Sequence, residues 1–415
     1  MMSSAEQSYQ NSRKAREPVF GPKDVALIPL FFALPLMYWP KALEGDTQPW
    51  VAIAAAIAFV AYWPKSRSIN YKNILIISAL ALLSLAIYFV RDPSPDALLR
   101  YGAVMIVFVL LWSIFQRVPD NKFVPVVRLT IVVWFIVGLY QVIAIRLGLP
   151  IEFDGRYVAS RSGVPGLTAE SSFYGTISVI QIMYLIAEKD SKNNIYIVFA
   201  AISVLMSGSA IALLLLVVPL FRLKVEYKII GFIFVLVFVV SGFDFVSTGL
   251  FNRFQSFELS QIGVQLIERD ASTNLRFGHV FFTLSYNFFN EIFYFNSIYF
   301  EREYNNWAYN SNLFIYNESD NILTMAGELV FRSGAAGFAL VLMLLHVSWT
   351  SASLTYDRFE KLAFVVLCLL NPINLANPFL ILYIQKKYSK NESNSNRNFR
   401  PRRPSHHKTI GRQRV

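Results

Sequence analysis

A series of apolar blocks, each close to the length of a bilayer-crossing helix, limits what this chain can fold into more than any other feature. They fall at about 25–40, 49–63, 73–90, 98–115, 124–148, 172–187, 195–221, 229–246, 322–349 and 362–384. At 55% hydrophobic and 16% charged residues, the chain departs from soluble domains, in which roughly a quarter of residues carry charge. The expectation is an all-α, polytopic membrane protein. Residues 1–23 are polar and basic, without the pattern of a cleavable signal, so the N-terminus is expected in the cytoplasm.

Two blocks are punctuated. Ser207-Gly208-Ser209 interrupts 195–221, and Asn371-Pro372 with Asn377-Pro378 interrupts 362–384. Each reads either as one helix or as a hairpin of two short ones. Charge decides: with both split, the chain makes twelve spans rather than ten, and every lysine-rich connection falls on one face, as the positive-inside rule requires. The expected organisation is then a cytoplasmic tail (1–23), transmembrane helices over 24–246 with an outer loop at 149–170, and a long outer loop with amphipathic helices at 247–321. A second set of spans follows (322–384), and a basic tail (385–415) whose composition predicts disorder and attraction to anionic lipid. Both termini are cytoplasmic in this arrangement. The net charge of +11 is explained by this sidedness and calls for no nucleic acid.

On the opposite face the basic residues are, apart from Lys41, arginines, among them Arg156, Arg161, Arg276 and Arg332. Arginine presents a planar fork that binds phosphate or carboxylate through two parallel hydrogen bonds. Arg161 and Glu170 bracket a glycine- and proline-rich stretch, Arg161 to Gly175, that leads into an apolar helix. Charges placed there either anchor the helix end as an interfacial ion pair or hold an anionic substrate. Glu328 and Arg332 are spaced for a helical i,i+4 pair, as are Asp96 and Arg100.

The long outer loop is crowded with aromatic residues between Phe281 and Tyr316, Trp307 and Tyr309 among them, interleaved with asparagines. Interfacial rings explain the aromatics; ring faces beside amides also suit a sugar. A lone histidine among these aromatics, His279, reads as structural. With one cysteine and four histidines, neither an intrachain disulfide nor a histidine or cysteine metal cage is expected, and no cofactor.

Several of these residues together resemble a family. The pattern Arg161-x-Gly163-x-x-Gly166-Leu167-Thr168-x-Glu170-x-Ser172, the Ser207-Gly208-Ser209 break, Asn274-Leu275-Arg276 at a helix start, and Glu328 followed by small residues at 334–337 resemble the O-antigen polymerase and O-antigen ligase superfamily. The resemblance covers residues 161–338. It implies an integral glycosyltransferase with a C-type fold in the bacterial inner (plasma) membrane, acting without metal on undecaprenyl-pyrophosphate-linked glycans at the periplasmic face. A flippase and a chain-length regulator of the same pathway are the implied partners, beside membrane lipid. Where ligases carry a histidine late in the long loop, this chain has Asn317-Glu318-Ser319-Asp320-Asn321, which favours the polymerase.

The expected reaction moves a growing glycan from its lipid pyrophosphate to a sugar hydroxyl on a second lipid-linked repeat. Arg161 and Arg276 are assigned to the departing pyrophosphate and Glu170 to the acceptor hydroxyl. Arg156, Arg332, Glu328, Tyr309 and Trp307 are assigned to substrate binding. The alternatives are an O-antigen ligase or protein-glycosylating transferase, and a lipid-linked glycan flippase or transporter. Transporters commonly carry internal repeats and ionisable residues deep within several spans, and this sequence has no evident repeat.

Overall fold

The computed structural model describes residues 21–33, 50–63, 71–91, 95–149, 152–153, 156–157, 163–168, 171–188, 190–220, 271–287, 300–311, 313–316, 322–350, 355–371 and 375–385. Among them the protein is all-helical apart from one short antiparallel pair, β1 (Glu152–Phe153) with β2 (Arg156–Tyr157), in which Phe153 lies opposite Arg156. The catalytic candidates Arg161 and Glu170 lie outside the described residues, as do Asn317 to Asn321, the block at 229–246, and residues 1–20 and 386–415 of the two tails.

A 3-10 turn (Pro22–Ala26) opens into α1 (Leu27–Phe32), followed by α2 (Trp50–Tyr62), α3 (Tyr71–Arg91), α4 (Pro95–Arg117) and α5 (Phe123–Arg146). Next come α6 (Ser171–Glu188), α7 (Asn194–Ser207) and α8 (Ala210–Leu220). After α9 (Ala271–Phe281) the chain widens into a π-helical turn (Phe282–Asn287) and continues into α10 (Phe300–Ser311), α11 (Met325–Thr350), α12 (Thr355–Leu369) and α13 (378–385).

The bundle is built around α6, whose residues from Phe173 to Leu185 are all buried. Helices α7 and α8 both pack along it, α5 packs on α7, and α3 lies between α4 and α11. A helix enclosed on every side needs no polar face, which is why its sequence shows no amphipathic stripe. Among the described residues, α5 and α3 carry large apolar side chains on their outer faces. Leu129, Ile136, Tyr140 and Ile143 stand exposed on α5, and Leu75, Leu82, Phe89 and Val90 on α3. Two helices, α5 and α11, are long and apolar enough to cross a membrane, and α2 with parts of α3 and α4 are shorter apolar helices.

Both punctuated blocks turn back. Gly208 caps α7 in the left-handed conformation (φ 60°) and Ser209 accepts from the N–H of Ala212 to start α8, which then packs against α6 rather than running past its end. Asn377 caps α13 by accepting from Phe379 and Leu380 N–H, with Pro378 at the first helical position. The buried ammonium of Lys361 on α12 donates to Ile384 O at 2.8 Å, and Phe364 meets Tyr383 edge-on at 5.1 Å, so α12 and α13 run antiparallel.

At one end of the bundle, the basal end, polar side chains tie the connections together. Asp24 accepts from Lys122 Nζ (2.7 Å), the Tyr62 hydroxyl and Gly21 N–H. Burial opposes its charge, but these donors hold its pKa below the usual carboxylate value. Arg128 reaches from α5 to Asp190 (2.7 Å) and Asn193 in the α6–α7 turn, and Asn193 donates back to Leu185 O.

The block at 322–349 carries no proline, yet α11 is not one regular helix. Gly334 sits inside it at φ 52°, ψ −128°, a conformation open only to glycine, and the helix breaks there. The two halves close so tightly that a Cβ on Gly337 would lie 1.8 Å from Leu329 O. Replacing Gly334 or Gly337 by alanine should therefore each cost about 1–3 kcal/mol, read as a lowered Tm of the purified protein in detergent. Alanine at Gly102, where a Cβ meets only the flexible Leu85 side chain at 3.5 Å, serves as the tolerated control.

Candidate functional site

Opposite the basal end, the glycine-rich stretch singled out in the sequence forms a buried plug. Its backbone is not helical, so its N–H and C=O groups need partners other than a helix ladder. Gln141, a polar residue on the apolar α5, supplies two: its Oε1 accepts from Gly166 N–H (2.8 Å) and its Nε2 donates to Gly166 O (2.7 Å). Val164 N–H donates to Met206 O at 3.0 Å, and Thr168 closes a turn by donating from both N–H and hydroxyl to Pro165 O.

The glycines of this stretch are there for space as well as for conformation. Gly163 (φ 97°) rides directly on the end of α7, where a Cβ would come 2.1 Å from Ser207 O. Gly166 (φ 61°) lies flat on the ring of Tyr174. That ring is fixed by its hydroxyl, which donates to Trp134 O at 3.0 Å, and Gly138 leaves room for it. On the neighbouring turn Gly175 packs against Ser207 and Ala212. Residues 163–168 of the sequence motif and the Ser207-Gly208 break, far apart in the chain, are thus one packed unit.

The start of α11 belongs to the same end. Met325 N–H donates to Asn371 O (2.9 Å), and Asn371 Nδ2 donates to the Thr176 hydroxyl (3.2 Å), one residue beyond Gly175. Thr324 caps α11 through Gly327 N–H. Along its first half Arg332 Nε meets Glu328 Oε1 at 3.3 Å, and Arg332 Nη1 donates to the Tyr88 hydroxyl at 3.0 Å. Ser333 bonds the Tyr101 hydroxyl and donates to Ser84 O. The i,i+4 pair expected from spacing therefore forms, with α3 and α4 as additional supports.

Arg276 and His279 sit one turn apart on α9, both buried, Arg276 at 6% exposure. His279 Nδ1 accepts from Leu323 N–H (2.9 Å), which fixes the neutral tautomer with its hydrogen on Nε2 and docks α9 against the entry to α11. Desolvation, helped by the nearby charge of Arg276, pushes its pKa down to about 3. Asn274 clasps the segment that follows α10, donating to Leu313 O and accepting from Ile315 N–H.

Several of the described aromatic residues between 281 and 316 pack on one another, while Phe281, Tyr309 and Tyr316 stay exposed. Phe282, Phe300 and Tyr304 form a small core with Ile322 and Phe331. Trp307, assigned to sugar stacking, packs into that core, its ring parallel to Phe314 at 5.1 Å. One of its faces is therefore already covered, because apolar rings in a short segment lower their free energy most by packing on one another. Tyr309, at 70% exposure, remains an open ring on the outer side of α10. The backbone of Arg156 lies in β2, and its side chain is outside what is described.

So the structure gathers the 163–168 plug, the α7–α8 break, Glu328 and Arg332 at one end, with Arg276 held at the α9–α11 junction. Gln141, Tyr88, Tyr101 and the docking role of His279 were not singled out beforehand, and Asn371 was marked only as part of a helix break. Gln141 and Asn371 carried a signal, each an amide inside an apolar block, whereas nothing in the sequence marks two tyrosines as partners of Arg332 and Ser333. Among the described residues no group of acidic, histidine or cysteine side chains is placed to hold a metal. Comparison with protein families, curated proteins and solved structures finds no match for this chain.

Two outcomes are expected. Gly163→Ala should destabilise the protein by several kcal/mol, because strain and a backbone clash combine, whereas Gly148→Ala, with φ 66° and open space around it, should cost only about 1–2 kcal/mol. Thermal melts of the two variants test the difference. Because the folded pKa of His279 lies below its unfolded value, the folded state binds fewer protons, so this group costs stability as pH falls below about 6.5. The slope is about 1.4 kcal/mol per pH unit. His279→Asn, which keeps an acceptor for Leu323 N–H, should show a gap to wild type that narrows from pH 8 to pH 5; a constant gap would contradict the assignment.

Proposed function

We propose that this chain is a polytopic membrane glycosyltransferase, a polysaccharide polymerase that transfers a growing glycan from undecaprenyl pyrophosphate to a sugar hydroxyl on a second lipid-linked repeat unit. The observation that carries the reading is the packing of the 163–168 stretch onto the Ser207-Gly208 break beside the start of α11. Three motifs on which the family resemblance rests thereby come together at one end of one bundle. The exposed apolar faces of α3 and α5, with two helices long enough to cross, support a membrane setting, and the reversals at Gly208 and at 371–377 support the twelve-span arrangement.

In this reading the basal end, with Lys122, Arg128 and Lys192, faces the cytoplasm and the plug faces the outer side, where lipid-linked repeats are assembled. Irregular backbone at membrane depth is tolerated where protein buries it or where it lines a cavity. Arg332, aimed by Glu328 and Tyr88, and Arg276, on the docked α9, supply guanidinium charge for the pyrophosphate as the anomeric C–O bond breaks. Arg161 and Glu170 flank the plug in sequence; Arg161 adds to the pyrophosphate clamp and Glu170 receives the acceptor proton.

The test is the length distribution of the surface polysaccharide in a strain lacking this protein and complemented with variants. Loss of one hydrogen bond to a charged group is worth about 1.5–3 kcal/mol, so Arg332→Gln, Arg276→Gln and Glu170→Gln should each cut polymerisation by at least one to two orders of magnitude at normal expression. Single repeats should remain on the acceptor. Absence of any repeat on the acceptor would point to a ligase instead, and repeats stranded in the cytoplasm to a flippase.

A further inference from the structure

At the basal end one cation is built differently from its neighbours. Lys122 and Arg128 each have a carboxylate, Asp24 and Asp190, at 2.7 Å. Arg117, in the last turn of α4, has none among the described residues. Its guanidinium is instead held between two rings, Phe59 near the end of α2 and Trp63 directly after it, with its Cζ 4.8 Å from each centroid. The two rings are one helical turn apart and meet each other edge-on at 4.9 Å, so they form a fixed clamp. Cation–π contact holds a guanidinium in place without using its N–H donors, and Nε and Nη1 of Arg117 are buried with no acceptor among the described residues.

A buried charged donor without an acceptor is costly, and a clamp that maintains it is explained if the acceptor comes from outside the chain. Nη2 is not among the buried nitrogens, and Trp63 is 60% exposed at the end of an apolar helix, the level at which tryptophan meets lipid head groups. Asp24, which accepts from Tyr62 beside Trp63, is already engaged by Lys122, Tyr62 and Gly21, so it does not compete for Arg117.

We propose that the Arg117–Phe59–Trp63 clamp binds the phosphate of an anionic phospholipid of the surrounding leaflet. The planar fork offers the phosphodiester parallel N–H donors, and the exposed edge of Trp63 lies against the glycerol and upper acyl region. This site is at the opposite end of the bundle from the glycosyl-transfer site. It rests on the membrane setting of that proposal and not on the reaction, so loss of one does not remove the other.

The experiment uses the full-length protein in a phosphate-free maltoside detergent, with Tm followed while phosphatidylglycerol is titrated in. Parallel titrations use inorganic phosphate and phosphatidylcholine. Phosphatidylglycerol should raise Tm in a saturable manner, with inorganic phosphate inert at millimolar concentration and phosphatidylcholine much weaker. Half-saturation should move at least about tenfold in Arg117→Gln and also in Arg117→Lys, which keeps charge but loses the fork, and should stay unchanged in Lys23→Gln, which removes the same charge from an exposed position. Trp63→Leu, which leaves Arg117 in place but opens the clamp, provides a second route should Arg117→Gln fail to fold, and it too should weaken the lipid effect. Equal lipid response in wild type and Arg117→Lys, or a matching effect of inorganic phosphate alone, would overturn the proposal.

Discussion

Everything at the plug end depends on one close approach, the backbone of Gly163 lying on the carbonyl of Ser207. Non-helical chain inside an apolar bundle is stable only if its own polar groups are answered locally. The contact makes this possible: it brings Val164 N–H to Met206 O and leaves Gly166 facing Gln141, so both sides of the loop are paired. A side chain at Gly163 would lift the loop from α7, and those bonds would go with it.

The same economy recurs where other helices end or break. Gly208 turns α7, Ser209 starts α8, Thr324 starts α11, Asn377 starts α13, and the α11 break at Gly334 follows directly on Arg332 and Ser333, both bonded to neighbouring helices. Each interruption is accompanied by a polar side chain that satisfies freed backbone or fixes a neighbour. The interruptions concentrate at the end where the arginines of α9 and α11 sit, so the part of the fold with the least regular backbone is also the part with the most directed hydrogen-bonding chemistry. The basal end is simpler: ion pairs across turns, with the Arg117 guanidinium held between two rings and that of Arg128 lying over the Tyr196 ring.

Helices and the two breaks at 207–209 and 371–378 were legible because each leaves a local trace. Apolar length marks a helix, and Ser-Gly-Ser and Asn-Pro mark its interruption. The Glu328–Arg332 pair was legible because helical spacing alone dictates it. The aromatic segment was read as an interface or a sugar surface because local sequence cannot say whether rings face outward or one another; Trp307 faces Phe314, and Phe282, Phe300 and Tyr304 close on each other.

By itself the sequence determined that this is a helical chain with apolar blocks and where two of those blocks reverse, since both follow from properties that one residue or one helical turn carries. Only the tertiary structure decided that Gly163 rests on Ser207, that Gln141 clasps Gly166, that Tyr88 supports Arg332 and that His279 docks α9 to the head of α11. Those are meetings of residues 25 to 244 positions apart, and the choice among such partners is made by packing the whole bundle, which no local pattern encodes.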